Sequence, residues 1–391
     1  MSIWESKLLG DLCSFQAGGA FPRSEQGHVS GDYPFIKVSD MTLPANSKRI
    51  VEANNWVSIE AAERMRLKLV HVGAVAFAKI GEGLKAERLR QITRPTAMDN
   101  NMMAAVPMPA KVDERFLLYL IESVNIASWA QGSALPYLSQ TVLSEIPVRV
   151  PGLPEQRAIA ATLGAFDDKI ESNRRAVVSI SDLLDAQSEK YGADLPTVPL
   201  GVIVTSVKDT VNPSKLGDAV VDHFSFPAFD SGARPERVAA ATIKSNKLKV
   251  PRSAVLLSRL NPRFNRTWWA SAGDEASALA STEFLVLASE DDLELAGVWL
   301  AVRDPFFREE LPKRVTGTSG SHQRVRPDDV LAIEVPDFRS TALEVKQSTH
   351  ALLMRAESLR MESDRLTALR DALLPELLSG RIRVPVEGGT A

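Results

Sequence analysis

Cysteine is nearly absent from this chain of 391 residues, Cys13 being the only one. An intramolecular disulfide and a thiolate metal cluster are thereby excluded, and a reducing compartment is the expected setting. Histidine is scarce too, and His28, His71, His223, His322 and His350 show no metal-ligand spacing. No hydrophobic run approaches the ~18 apolar residues of a membrane span. The opening Met1-Ser-Ile-Trp-Glu-Ser-Lys7 lacks the apolar core of a signal peptide. The expectation is a cytoplasmic protein. A Gly-x-x-x-x-Gly-Lys-Ser/Thr loop is missing, which excludes an ATP motor. A glycine-rich strand-to-helix turn is missing as well, Gly81-Glu-Gly83 being too short for one, so no cofactor is expected in this chain.

What is present is an ordinary globular composition, 45% hydrophobic and 24% charged, in a chain too long for one core. One pattern occurs twice. Ile159, Leu163, Phe166, Ile170, Asn173, Val177, Ile180, Leu184, Gln187 and Tyr191 follow steps of four and three. Adding 186 to each number gives Val345, Thr349, Leu352, Ala356, Leu359, Ser363, Leu366, Arg370, Leu373 and Leu377, the same seam in the same phase. This is the a/d heptad along which one helix packs on another. Mutual packing of two long helices is the economical reading, with burial of each stripe in its own globular domain as the alternative.

The net charge of −3 argues weakly against non-specific nucleic-acid binding, but an average hides patches. Between Arg234 and Arg266 stand Arg234, Arg237, Lys244, Lys247, Lys249, Arg252, Arg259, Arg263 and Arg266, opposed in sequence only by Glu236. Trp268 and Trp269 follow. A basic run beside aromatics in an otherwise slightly acidic chain is the footprint of a phosphate-binding surface.

Read in order, the first 153 residues predict a mixed α/β domain. Pro34–Asp40, Gly73–Gly81, Asn101–Pro107 and Glu145–Pro151 have the pattern of short strands, and Asp113 caps a helix through Phe116, Leu117, Leu120 and Ile121. Gly132–Gln140 is a polar loop. After the linker Asp194–Pro199 the pattern restarts: Leu200-Gly201 matches Leu9-Gly10, Ser253–Leu260 matches the Gly73 strand, and Thr282–Leu287 matches the Asn101 strand. A helix through Leu295, Val298, Trp299 and Val302, a polar loop Gly317–Arg324 and a strand Leu331–Pro336 complete the second copy. The expected division is a globular domain over 1–153, a long helix over 154–192, a linker and second domain over 193–338, a second long helix over 339–380, and a tail over 381–391.

In this order of parts the chain resembles the specificity subunit of type I restriction-modification systems. The residues that carry the resemblance are Leu153-Pro-Glu-Gln-Arg157, Leu373-Leu-Pro-Glu-Leu-Leu-Ser-Gly-Arg-Ile-Arg383, Leu8-Leu-Gly-Asp11 and Pro199-Leu-Gly201. The second helix departs from the pattern, opening with Ser340-Thr-Ala-Leu-Glu344. The resemblance implies an α+β fold of two α/β target-recognition domains, separated by two long antiparallel coiled-coil helices in an internal two-fold repeat. It further implies a non-catalytic subunit of which each domain reads half of a split double-stranded DNA sequence. The helices would act as spacer and dock two modification (methyltransferase) subunits. S-adenosylmethionine would then belong to those partners, and ATP and Mg to any restriction (motor and nuclease) subunits.

Planar, paired hydrogen-bonding side chains read base edges, while Lys and further Arg hold phosphates. On that basis the first-domain candidates are Lys79, Lys85, Arg88, Arg90, Tyr137, Ser139 and Gln140. Those of the second are Arg259, Arg263, Arg266, Trp268, Ser321, Gln323 and Arg324. Asn261-Pro-Arg-Phe264 resembles the Asn-Pro-Pro-Phe grip of amino-methyltransferases but puts a charge where the second proline belongs, so no methyltransferase site is expected. Asp167 and Asp168, early on the long helix, are expected to be solvated or near the helix N-terminus, where negative charge is mildly favourable, rather than part of a nuclease. Two rival readings are a stand-alone DNA-binding regulator and a helical scaffold whose domains bind proteins.

Overall fold

A computed structural model of the protein describes residues 4–132, 135–273, 276–289, 291–316 and 323–385. It divides into two compact units, Met1–Ser172 with Asp364–Ala391 and Asn173–Ser363. Both cuts fall inside long helices, so each unit combines one globular part with a stretch of both helices.

In the first unit a five-stranded sheet runs Cys13–Ala17, Met102–Pro107, Val75–Ala78, Arg90–Ile92, Arg49–Ile50, antiparallel except for the last pair. The Val75–Ala78 strand is buried at every residue, which explains its unbroken apolar run. The helix Glu114–Val124 starts where Asp113 accepts hydrogen bonds from the Arg115 and Phe116 amides. It sends Phe116, Leu117, Leu120 and Ile121 into the core. Burial pushes the Cys13 thiol up to about 12, so the single cysteine is inert as a nucleophile or metal ligand.

The second unit repeats this order of strands. Its four-stranded sheet runs Thr205–Val207, Phe284–Ala288, Ser253–Ser258, Thr267–Ser271, antiparallel throughout. The helix Asp292–Arg303 supplies Leu295, Val298 and Val302 to its core. A second, five-stranded sheet of short strands, including Val220–Phe224 and Ser277–Ser281, has no counterpart among the strands expected from the sequence. Two expected strands are shorter than their apolar runs. Tyr33–Ile36 gives way to a 3-10 turn at Val38, where Asp40 accepts from the Lys37 amide at 2.6 Å. Leu331 closes the short helix Pro327–Leu331, leaving Glu334–Pro336 extended.

The long helices span Leu153–Gly192 and Leu343–Leu378. The second starts at 343 rather than 339 because Asp337 accepts from the Arg339 amide and grips its guanidinium, holding Phe338–Ser340 as a 3-10 turn. No predicted seam position is exposed. In the second unit the helices pair antiparallel: Asn173 donates to the Leu359 carbonyl and to Glu362 and Ser363, while Thr349 donates to Gln187. Each stripe also feeds a globular core, through Ile159, Leu163 and Leu377 in the first unit and through Leu184 and the partly buried Leu352 in the second. Both modes of burial left open by the sequence therefore occur.

Asp167 is not solvated, contrary to the sequence expectation. It is 7% exposed, accepts the Tyr119 hydroxyl at 2.6 Å and takes Arg370 of the second helix at 2.7 Å. Burial opposes the Arg370 charge, yet hydrogen bonds to Asp167 and Asp371 hold its guanidinium above the ordinary value. Asp168 is half-exposed and binds Arg115 and Arg49. Arg115 lies across Gly164 and donates to its carbonyl at 2.8 Å. A Cβ at 164 would strike the guanidinium, which explains a glycine inside a helix that would otherwise favour alanine.

Gln156, from the motif that opens the first helix, is 2% exposed. Its amide donates to the Pro151 and Lys111 carbonyls and accepts from the Asp113 amide. It thus joins the last strand, the capped helix and the long helix at one point. Gln156→Ala leaves three backbone groups short of a partner and is expected to cost about 2–4 kcal/mol. A denaturant midpoint unchanged from the parent would show that this junction contributes nothing.

Candidate nucleic-acid interface

In the first unit the Val75–Ala78 strand ends in Lys79-Ile80-Gly81, and the expected polar loop docks there. Gln131 and Tyr137 exchange backbone hydrogen bonds at 2.9 Å, closing the loop. Ile80 bridges to Tyr137, and the Leu138 amide donates to the Lys79 carbonyl at 2.9 Å. Gly81, at φ +69°, makes the left-handed turn that this docking requires. Lys79, Tyr137 and Gln140 rim an apolar hollow floored by Ala17, Met103 and Leu138. Ser139 sits beside them as a helix cap, accepting from the Val142 amide at 3.2 Å.

The structure does not bring the other first-unit candidates to this rim as free cations. Lys85 is paired with Glu82 at 2.5 Å. Arg88 is exposed in the turn before the Arg90–Ile92 strand. Arg90 donates to the carbonyls of Asn46, Leu89 and Met41, and burial lowers it to about 10. With its donors committed to the main chain, Arg90 holds the fold together.

The second unit is built the same way from different side chains. Leu260 bridges to Arg324, Thr316 bridges to Arg324, and the Val325 amide donates to the Arg259 carbonyl at 3.1 Å. Arg324 therefore occupies the place of Tyr137. Glu283 accepts Arg324 at 2.9 Å and faces Arg259 at 3.9 Å, and its hydrogen bonds hold the Arg324 guanidinium above its ordinary value. The Gln323 carbonyl takes the Asn261 amide at 2.9 Å. Ser321 lies outside the described residues. Arg266 forms a two-pronged ion pair with Asp230 at 2.8 and 2.9 Å. Arg263 is exposed, with its guanidinium 4.7 Å from the Phe264 ring centre.

Trp268 requires correction. It is 2% exposed, in ring contact with Phe224, Phe229 and Phe284, so it cannot reach a nucleic acid. The strand that carries it is covered on both faces, with Trp268 in one core cluster and Trp269 in another. The exposed aromatic of this stretch is Phe264, four residues earlier. Its flanking Asn-Pro and Asn could have marked it as the tip of a turn.

Among the described residues no helix is long and apolar enough to cross a membrane, and no group of three or more His, Cys, Asp or Glu could hold a metal ion. Residues 1–179 match the family described as "Type I restriction modification DNA specificity domain". Two similar proteins come from Methanocaldococcus jannaschii: the type I restriction enzyme MjaIX specificity subunit is 22% identical over 47% of this chain, and the MjaVIII specificity subunit 30% identical over 44%. The match spans 42% and 41% of these two relatives, so the chain covers about two fifths of their length. A crystal structure of the type I restriction-modification S subunit from M. genitalium shares the fold over 96% of both chains, with a TM-score of 0.60 at 15% identity. Over residues 1–179, a little under half of its length, this chain is thus similar to the type I restriction modification DNA specificity domain.

Proposed function

We propose that the protein is the non-catalytic DNA-recognition subunit of a type I restriction-modification complex, working in the cytoplasm. Each unit reads one half of a bipartite duplex sequence. The long helices act as spacer and dock two methyltransferase subunits, which carry S-adenosylmethionine. Restriction subunits with ATP and Mg complete the complex where they are present. The observation that carries this reading is the repeated end of the central strand, which with the residues bridged to it carries Lys79, Tyr137 and Gln140 in one unit and Arg263, Gln323 and Arg324 in the other. One scaffold with two different sets of polar side chains suits two different half-sites.

Salt separates this reading from a protein-binding scaffold, because binding to phosphates releases counterions. Lys79→Ala combined with Arg263→Ala is expected to weaken binding to the duplex. It should also reduce the slope of log K against log salt by roughly 0.9 for each phosphate that the variant no longer neutralises. A parent protein whose binding ignores salt would overturn the reading.

A further inference from the structure

We infer that Phe264 is a base-stacking wedge, held in position by Arg266 and Asp230, for the half-site read by the second unit. The inference rests on the DNA-reading role proposed above.

A single exposed apolar side chain needs no explanation, since such residues are common on protein surfaces. Phe264 differs because the structure holds it out. Its ring is 55% exposed at the end of a one-turn 3-10 segment, Pro262–Phe264. Two left-handed asparagines bound that turn, Asn261 at φ 48° and Asn265 at φ 42°. Non-glycine residues adopt this conformation at a cost, which asparagine bears better than most. A further cost is visible at Asn261, whose side-chain oxygen is buried without a hydrogen-bond partner. Such concentrated strain is characteristic of functional sites.

The ring is also braced. Arg266 lies 5.2 Å from its centre and 5.3 Å from that of Phe226, and Asp230 fixes Arg266 from the other side. With both prongs engaged and a side chain 17% exposed, Arg266 is better placed to position the ring than to grip a phosphate. Arg263 stands exposed beside the same ring, 4.7 Å from its centre. An apolar plane flanked by a cation is the chemistry that enters a base step while holding the backbone. The first unit turns instead through Lys79-Ile80-Gly81, and the exposed aromatic at that turn, Tyr137, comes from the segment bridged to Ile80. The two units therefore offer aromatic surface from different loops.

The test uses the full chain with its methyltransferase subunits and a duplex carrying the methylated sequence found in cells. 2-Aminopurine replaces each adenine of the second half-site in turn. The parent should raise the emission at one step, where stacking is broken. Phe264→Ala should abolish that rise and weaken specific binding roughly 5- to 150-fold, leaving the salt slope unchanged. Phe264→Trp should retain the rise, and Asp230→Ala, which frees Arg266, should reduce it. Arg263→Ala should lower the salt slope yet keep the rise at saturation. Equal emission from the parent and Phe264→Ala at every position overturns the wedge, even if binding remains salt-dependent. Salt-independent binding by the parent overturns the DNA reading itself.

Discussion

Exchanging residues 197–336 for the matching segment of a relative is expected to change one half of the methylated sequence and leave the other half intact. The physical basis is how the segment is closed. Thr197–Pro199 pairs antiparallel with Glu334–Pro336, with Thr197 opposite Pro336. The incoming and outgoing strands thus lie side by side, and both junctions of a graft fall at one two-stranded ladder. The first globular part is closed alike, Glu5–Leu8 pairing with Pro147–Val150. Methylation-sensitive sequencing of the host genome reads the result. A change in both halves, or in neither, would contradict the assignment of one half-site to each unit.

Arg370→Ala is expected to destabilise the first unit by about 3–5 kcal/mol, because it leaves Asp167 charged and buried without its cation. The side chains of Arg370 and Asp167 are 13% and 6% exposed, so water cannot replace the missing partner. Removing the whole polar group should be far milder. The combination Tyr119→Phe, Asp167→Leu and Arg370→Met is expected to come close to the parent in stability, since apolar packing can replace a buried ion pair. Urea denaturation of the three proteins distinguishes the cases. An Arg370→Ala protein as stable as the parent would show that its pairing with Asp167 contributes nothing to the fold.

Periodic features were legible without a structure. The seam positions, the Asp113 cap and the repeated order of strands depend on spacing along the chain, which local backbone geometry converts directly into faces and caps. Interleaved short strands were not legible. Glu236–Ala239 pairs with Val220–Phe224, which in turn pairs in parallel with Ser277–Ser281, and no local period announces partners so far apart. The polar loops were recognisable by composition, but the bridges from Tyr137 to Ile80 and from Arg324 to Leu260 were not.

Charge shows the same division more sharply. From the sequence alone, nine cations between Arg234 and Arg266 face a single acid, Glu236. In the folded chain Arg234 meets Glu357, Arg237 meets Asp222, Arg266 meets Asp230, Arg259 faces Glu283, and Lys247 is buried. All four of those acids lie outside the basic run, because ion pairing depends on distance in space rather than along the chain. Asp167 changed character for the same reason: its cation stands 203 residues away. The sequence by itself determined the repeat, the two long amphipathic helices and the family resemblance, all written in local pattern. Only the tertiary structure decided which cations stay uncompensated and which aromatic reaches the surface, because both depend on what the fold places within a few ångströms.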